Sequence, residues 1–168
     1  MIRKDLKDFN TNIFKEFPSC ALLTAGDINN RNTMTISWGF MGTIWNKSVV
    51  AVFVRPTRHT FKQMEESDRF TLSFMPDDFN KEVAYMGSHS GANENKYEKT
   101  GLIPVYDNDS FVSYIKGAKY VMKCKKLYAD FLKPECFIDK DLLKHYNIDL
   151  KDYHKVYIAE ITSLLVSE

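Results

Sequence analysis

Arg55, Pro56, Thr57, Arg58, His59 and Thr60 put two guanidiniums, two hydroxyls and an imidazole within six residues, directly after an apolar run over 48–54. Pro56 holds Arg55 extended and cannot donate to a sheet. A strand over 48–54 therefore stops there and a helix starts near Arg58, with Thr57 as its N-cap. Free N–H groups and the macrodipole at such a start favour a bound anion. A second polar cluster, residues 87–96, reads Gly-Ser-His-Ser-Gly-Ala-Asn-Glu-Asn-Lys. A glycine-bearing loop of this kind can approach a ligand closely and offer N–H donors to phosphate or to a ring edge. The same residue types also make ordinary solvated loops. Between the two clusters in kind, Thr33, Thr35 and Ser37 alternate along one strand face while Met34, Ile36 and Trp38 fill the other.

The elements that must position these groups are legible by periodicity. Residues 5–17 carry Leu6, Phe9, Ile13, Phe14 and Phe17 as a mixed, partly helical arm closed by Pro18. A strand over 19–26 pairs through a turn-rich link with the hydroxyl-faced strand, and a turn follows at 39–42. The run 48–54 reads as a strand covered on both faces. Residues 69–75 alternate as a half-buried strand, and Phe79, Val83 and Met86 mark a helix ending at Gly87. A helical turn is expected at 97–100, whereas 110–114 is ambiguous. From Ala118 the apolar positions are even up to Cys124 and odd from Leu127 to Phe131. That phase switch places a β-bulge near Lys125 and Lys126. Residues 134–150 read as an inserted helical excursion with Asp139 as a cap, and 156–166 as a final strand apolar on both faces.

Composition narrows the function classes. The chain has 168 residues, long enough for one domain with a substantial core and short for two, so 1–168 is read as a single domain with an arm over 1–17. Its 23 basic and 22 acidic residues give no basic face for nucleic acid or an anionic membrane. Aromatics reach 14%, with twelve Phe and nine Tyr, enough to line a flat-ring pocket or a subunit contact. Cys20, Cys124 and Cys136 form no C-x-x-C, and four histidines show no metal spacing, so neither a disulfide framework nor a zinc site is expected. No apolar run approaches the roughly 20 residues of a membrane span. A soluble cytoplasmic protein is the expectation.

Four segments in order, T-x-T-x-S-W-G, V-R-P-x-R-x-T, F-T-L-S-F and G-S-H-S-G, resemble the flavin reductase-like family of FMN-binding split-barrel proteins, most closely its flavoredoxin branch. The resemblance runs from about Ala21 to Gly101. It implies a mainly β fold with peripheral helices, a Greek-key split β-barrel that forms a homodimer and holds FMN non-covalently near the subunit interface. NADH or NADPH is implied as co-substrate, with hydride passing directly to flavin N5 and no acid or base required of the protein. No G-x-G-x-x-G follows a strand, so a separate Rossmann site is not expected.

Under that resemblance, Arg55, Pro56, Arg58 and Thr60 are the expected hosts of the phosphate, with Lys96 and Ser88 as second choices. The ring is expected against Thr35, Ser37 and Trp38, with His89 and Ser90 from the loop nearby. An arginine at a helix start is also commonly a solvated residue, and Trp38 and Trp45 are equally at home in a core. Two further readings stand beside the NAD(P)H-dependent oxidoreductase. One is a flavoredoxin-like carrier serving a redox protein partner without its own nicotinamide turnover. The other is a split barrel that binds a different small ligand.

Overall fold

The computed structural model describes residues 1–108, 111–147 and 149–167. Among the described residues ten strands and four α-helices follow one another, beginning with β1 (Ile2–Lys4), α1 (Ile13–Cys20), β2 (Ala21–Ala25), β3 (Asn32–Ile36), β4 (Gly39–Ile44), β5 (Lys47–Val54) and α2 (Thr60–Glu66). β6 (Arg69–Phe74), α3 (Asn80–Ser88), α4 (Lys96–Thr100), β7 (Pro104–Asp107), β8 (Val112–Ile115), β9 (Tyr120–Phe131) and β10 (Lys155–Val166) complete them.

Eight strands form one antiparallel sheet in the order β3-β2-β6-β9-β10-β5-β4 with β1 added to β10, and β7 and β8 make a separate hairpin. β10 is its spine. The first half of β10 pairs with β5 and its last three residues with β1, while its other edge carries β9 throughout. β3 at one margin touches β5 beside the other margin, so the sheet curls on itself as a split barrel. Its interior is filled by Leu23, Val52, Leu72, Met122 and Tyr157, all fully buried. α2 and α3 pack over β2 and β3, which is why Thr24 and Thr33 on those strands are as buried as the leucines beside them.

The phase switch in β9 is a bulge: Ile158 faces Tyr128 but Ala159 faces Lys126, leaving Leu127 as the extra residue, next to the expected position. A second shift leaves Thr162 extra on β10. Together they let two 12-residue strands follow the curl.

Several sequence expectations are corrected. Gly39 and Gly42 do not turn; they sit in β4 opposite Val52 and Val49, and the chain reverses at Trp45 and Asn46, both at φ between 53 and 56. That is the left-handed pair a tight hairpin demands. Gly39 is small for a different reason: a Cβ there would lie 2.4 Å from the Phe17 ring. Pro18 does not close the arm. α1 runs through it to Cys20, and the residue whose carbonyl loses a donor, Phe14, is 93% exposed, where water replaces the bond at little cost. Phe17 on the same helix is buried and packs edge-on against Phe74 at 5.6 Å, plugging the barrel.

Thr57 is not a cap. Residues 55–58 form a turn closed by the Arg58 N–H to the Arg55 carbonyl, and α2 begins at Thr60. β6 is buried on both faces because Thr71 Oγ1 donates to the Ser113 carbonyl and Ser73 Oγ accepts from the Ile115 N–H, so β8 covers it. The ambiguous 110–114 stretch supplies β8 from Val112, with Ser110 outside the described residues. The 134–150 excursion is built from 3-10 turns, Pro134–Cys136 and Lys140–His145, rather than an α-helix. Asp139 caps the second, accepting from the Asp141 N–H.

Candidate functional site

Two hollows meet at the open end of the curled sheet. The larger, about 440 Å³, lies between the end of β3, the Ser37–Trp38 link, Phe53, the 55–58 turn and His154. The smaller, about 80 Å³, lies between Asn32, residues 57–60, the end of α3 with its following loop, and Lys96. Met34, Thr57 and Arg58 border both, so they are continuous.

The smaller chamber is polar and pinned on every side. Arg58 Nη2 donates to the Gly87 carbonyl at 3.1 Å, tying the 55–58 turn to α3. Thr60 is buried and accepts from Asn32 Nδ2 at 2.7 Å, which leaves its own O–H to donate. Lys96 is buried, with Nζ donating to the carbonyls of Thr33 at 2.7 Å and Met86 at 2.9 Å. Burial, with the Arg58 charge adding to it, brings the Lys96 ammonium down to about 8. The loop crosses close because its glycines permit it: a Cβ on Gly91 would stand 2.3 Å from Asn32 Oδ1, and one on Gly87 3.0 Å from Thr35. His89 stacks flat on Tyr85 at 3.7 Å, and its Nδ1 meets Ser88 Oγ at 3.0 Å.

The larger hollow has aromatic walls. Trp38 is 43% exposed and leans on His154 at 4.8 Å between ring centroids and on His145 at 5.8 Å. His154 is buried, its Nδ1 lies 3.2 Å from the Tyr146 hydroxyl, and Phe53 stands edge-on to it at 6.4 Å. Burial, helped by the Arg55 charge, lowers the His154 imidazole to about 4, so it is neutral near pH 7. Arg55 crosses the margin and pairs with Asp152 at 2.6 Å. Burial raises the Asp152 carboxyl, but the Asn147 N–H and Arg55 outweigh that and hold it below the usual carboxylate range.

Of the residues picked from sequence, Thr35, Ser37, Trp38, Arg55 and Arg58 line the larger hollow, and Arg58, Thr60, Ser88, His89, Ser90 and Lys96 line the smaller. Pro56 borders neither; it shapes the turn. The hydroxyl of Thr35 is spent on the Val83 carbonyl, and Thr33 bonds inward to Thr24 and Tyr97, so the hydroxyl face of β3 chiefly fastens helices. Trp45 sits in the hairpin turn, away from both hollows. Sequence reasoning missed Asn32, Phe53 and His154. Phe53 is hidden in an apolar run, although its partial exposure among buried neighbours matches a wall residue. His154 lies 58 residues beyond Lys96 and farther still from the other site groups, and it carries no local signal.

The flavoredoxin of Desulfovibrio vulgaris (Miyazaki F) superposes with a TM-score of 0.69 at 20% identity, covering 99% of this chain and 78% of that one. An FMN-binding protein from Thermus thermophilus with bound p-hydroxybenzaldehyde gives 0.68 at 18% identity, covering 100% and 83%. An uncharacterized protein of Archaeoglobus fulgidus is 26% identical over 109 residues, 65% of this chain and 61% of that protein, so the match spans under two thirds of the curated relative's length. The family described as flavin reductase like domain matches residues 17–168, and the chain belongs to that family.

Proposed function

We propose that the protein binds FMN non-covalently in the paired hollows and works as an oxidoreductase, passing electrons from NADH, NADPH or another reduced carrier to an acceptor. The observation that carries this reading is the continuity of an aromatic-walled cleft with a small polar chamber through Met34, Thr57 and Arg58. A flat ring with an anionic tail needs those two environments side by side.

The residues fit the group part by part. In the chamber, Arg58, Thr60, Ser88, Ser90, His89 and Lys96 surround a space suited to a phosphate, with two cations and the O–H groups of Thr60 and Ser90 to meet its oxygens, while the Ser88 hydroxyl is held by the Ala84 carbonyl. In the cleft, Ser37 and the backbone of residues 35–38 offer polar contacts to a pyrimidine edge, and Trp38 and Phe53 supply apolar walls. FMN, when bound, supplies the redox chemistry; the protein supplies position, exclusion of water and electrostatics. The buried neutral His154 contributes a hydrogen-bonding group at the mouth without a charge.

A carrier without nicotinamide turnover is the second reading, favoured by one feature. His145 and His154 stand against the Trp38 ring on that side of the cleft and narrow the approach of a second flat ring. A homodimer and a cytoplasmic setting complete the proposal, with the apolar margin of β4 as the surface for a second copy. Among the described residues no helix is long and apolar enough to cross a membrane.

Titration of the purified protein with FMN and with riboflavin, followed by flavin fluorescence, tests the binding. FMN should bind at least about tenfold tighter than riboflavin, the minimum for one charge-assisted phosphate contact. Equal, weak affinity for both removes the proposal. Bleaching of the holoprotein by NADH or NADPH then supports the reductase, and bleaching by dithionite alone supports the carrier.

A further inference from the structure

Arg55 lies at the end of β5, where sequence alone gives it to the phosphate together with Arg58, but its surroundings differ from those of Arg58. Its Nη1 donates to Asp152 and its Nη2 to the His145 carbonyl, both at 2.6 Å, and its guanidinium carbon stands 5.4 Å from the centre of the Tyr146 ring. All three partners belong to the excursion between β9 and β10. Asp152 is itself buried, and its other oxygen accepts the Asn147 N–H at 2.8 Å, so the carboxylate ties the excursion internally as well as to β5. The base of the excursion is closed by the Leu132 N–H to the His154 carbonyl at 2.9 Å. Arg55 borders only the larger hollow, whereas Arg58 borders both. An anion drawn to Arg55 would also meet the Asp152 carboxylate, which cancels much of the attraction.

We propose that Arg55 and Asp152 are a positioning pair that clamps the excursion between β9 and β10 onto the barrel, holding His145 and His154 against Trp38 as the outer wall of the ring cleft, and that Arg58 is the guanidinium that meets the phosphate. The proposal rests on the FMN reading for its ligand and on the ion pair alone for its clamp. The excursion, not the barrel, then decides what reaches the ring face. Its 3-10 turns give it few backbone bonds of its own, so it depends on an external fastening.

The test uses the full chain and the variants Arg55→Met, Asp152→Asn and Arg58→Met. Limited trypsin digestion reports the clamp through cleavage after Lys140, Lys144 and Lys151, and the ratio of riboflavin to FMN dissociation constants reports the phosphate contact. Loosening the pair should speed cleavage in the excursion about tenfold in both Arg55→Met and Asp152→Asn, because proteolysis follows the open population. Both should keep the affinity ratio within about twofold of the parent, while Arg58→Met should lower it about tenfold. The combined exchange Arg55→Asp with Asp152→Arg should restore slow cleavage. Unchanged cleavage in both single variants overturns the clamp. A ratio that collapses in Arg55→Met but not in Asp152→Asn returns Arg55 to the phosphate. If the parent binds neither flavin, the functional reading fails while the digestion still decides the clamp.

Discussion

Lys96 Nζ donates to the carbonyl oxygen of Thr33 at 2.7 Å, so the first residue of α4 is anchored to the middle of β3. A second bond to the Met86 carbonyl uses another of its three N–H groups and leaves one for the chamber. The ammonium thus serves as a strut and as a ligand group at once.

The pH dependence follows from its depressed value of about 8 against an ordinary 10.5. In the ligand-free protein the unfolded chain holds this proton between those values and the folded one does not, so stability rises with pH across that window. Phosphate binding needs the charged form, and the FMN phosphate is already doubly ionised above about pH 7. FMN affinity should therefore weaken as pH rises through about 8, with riboflavin affinity flat. Lys96→Met should bind FMN more weakly at pH 7 and lose the slope. Parallel slopes for FMN and riboflavin would place the titrating group elsewhere.

His154 acts with the same sign in an acid window. Its folded value is about 4 against 6.5, so the unfolded chain binds the proton between them; the stability is complete above 6.5 and is lost as pH falls through 4. NMR of the His154 Cε1–H should show no titration between pH 5 and 8. His154→Gln should flatten the acid limb of the stability curve in that window. A midpoint near 6.5 for His154 would mean that its ring is solvated rather than packed between Trp38 and Phe53.

Much of this molecule is legible in the chain, because burial imposes period on strands and helices. β5, β6, β9, β10 and α3 emerge from apolar spacing, and the bulge at Leu127 from a change of phase. The polar clusters at 55–60 and 87–96 are local, and they do face one chamber at Thr60, Ser88, His89, Ser90 and Lys96. What the chain does not reveal is which partner a polar group takes. Thr33 and Thr35 alternate as ligand residues would, yet they bond to Thr24, Tyr97 and the Val83 carbonyl. Gly39 and Gly42 are small residues, and only the position of Phe17 shows that Gly39 is needed for packing rather than turning. Arg55 and Asp152 are 97 residues apart, beyond the reach of any local pattern.

The Gly39 contact is itself testable. Its Cβ would lie 2.4 Å from Phe17 Cε1 and 2.9 Å from the Ala51 carbonyl oxygen, so Gly39→Ala overpacks the barrel end. A loss of about 1–3 kcal/mol in denaturant unfolding is expected. Phe17→Leu in the same chain removes the ring edge and should recover part of that loss, giving a coupling energy of at least about 0.5 kcal/mol in a double-mutant cycle. Strict additivity would show that α1 yields without reference to Phe17.

Among the described residues β4 forms one margin of the sheet, with only β5 beside it; it presents Phe40 at 55% exposure and Ile44 at 40%, and the following turn adds Trp45 at 55%. An unpaired strand edge with large apolar side chains is what a soluble chain avoids unless another surface covers it. A second copy of this chain is the occupant proposed here. Sedimentation should therefore give a dimer at micromolar concentration, and Phe40→Lys combined with Ile44→Lys should shift it to monomer with the far-UV spectrum retained. Ser48→Asp, on the exposed second residue of β5, tests whether any added charge suffices and should leave the dimer intact. A monomeric parent, or a dimer indifferent to both β4 lysines, would move the contact to another face.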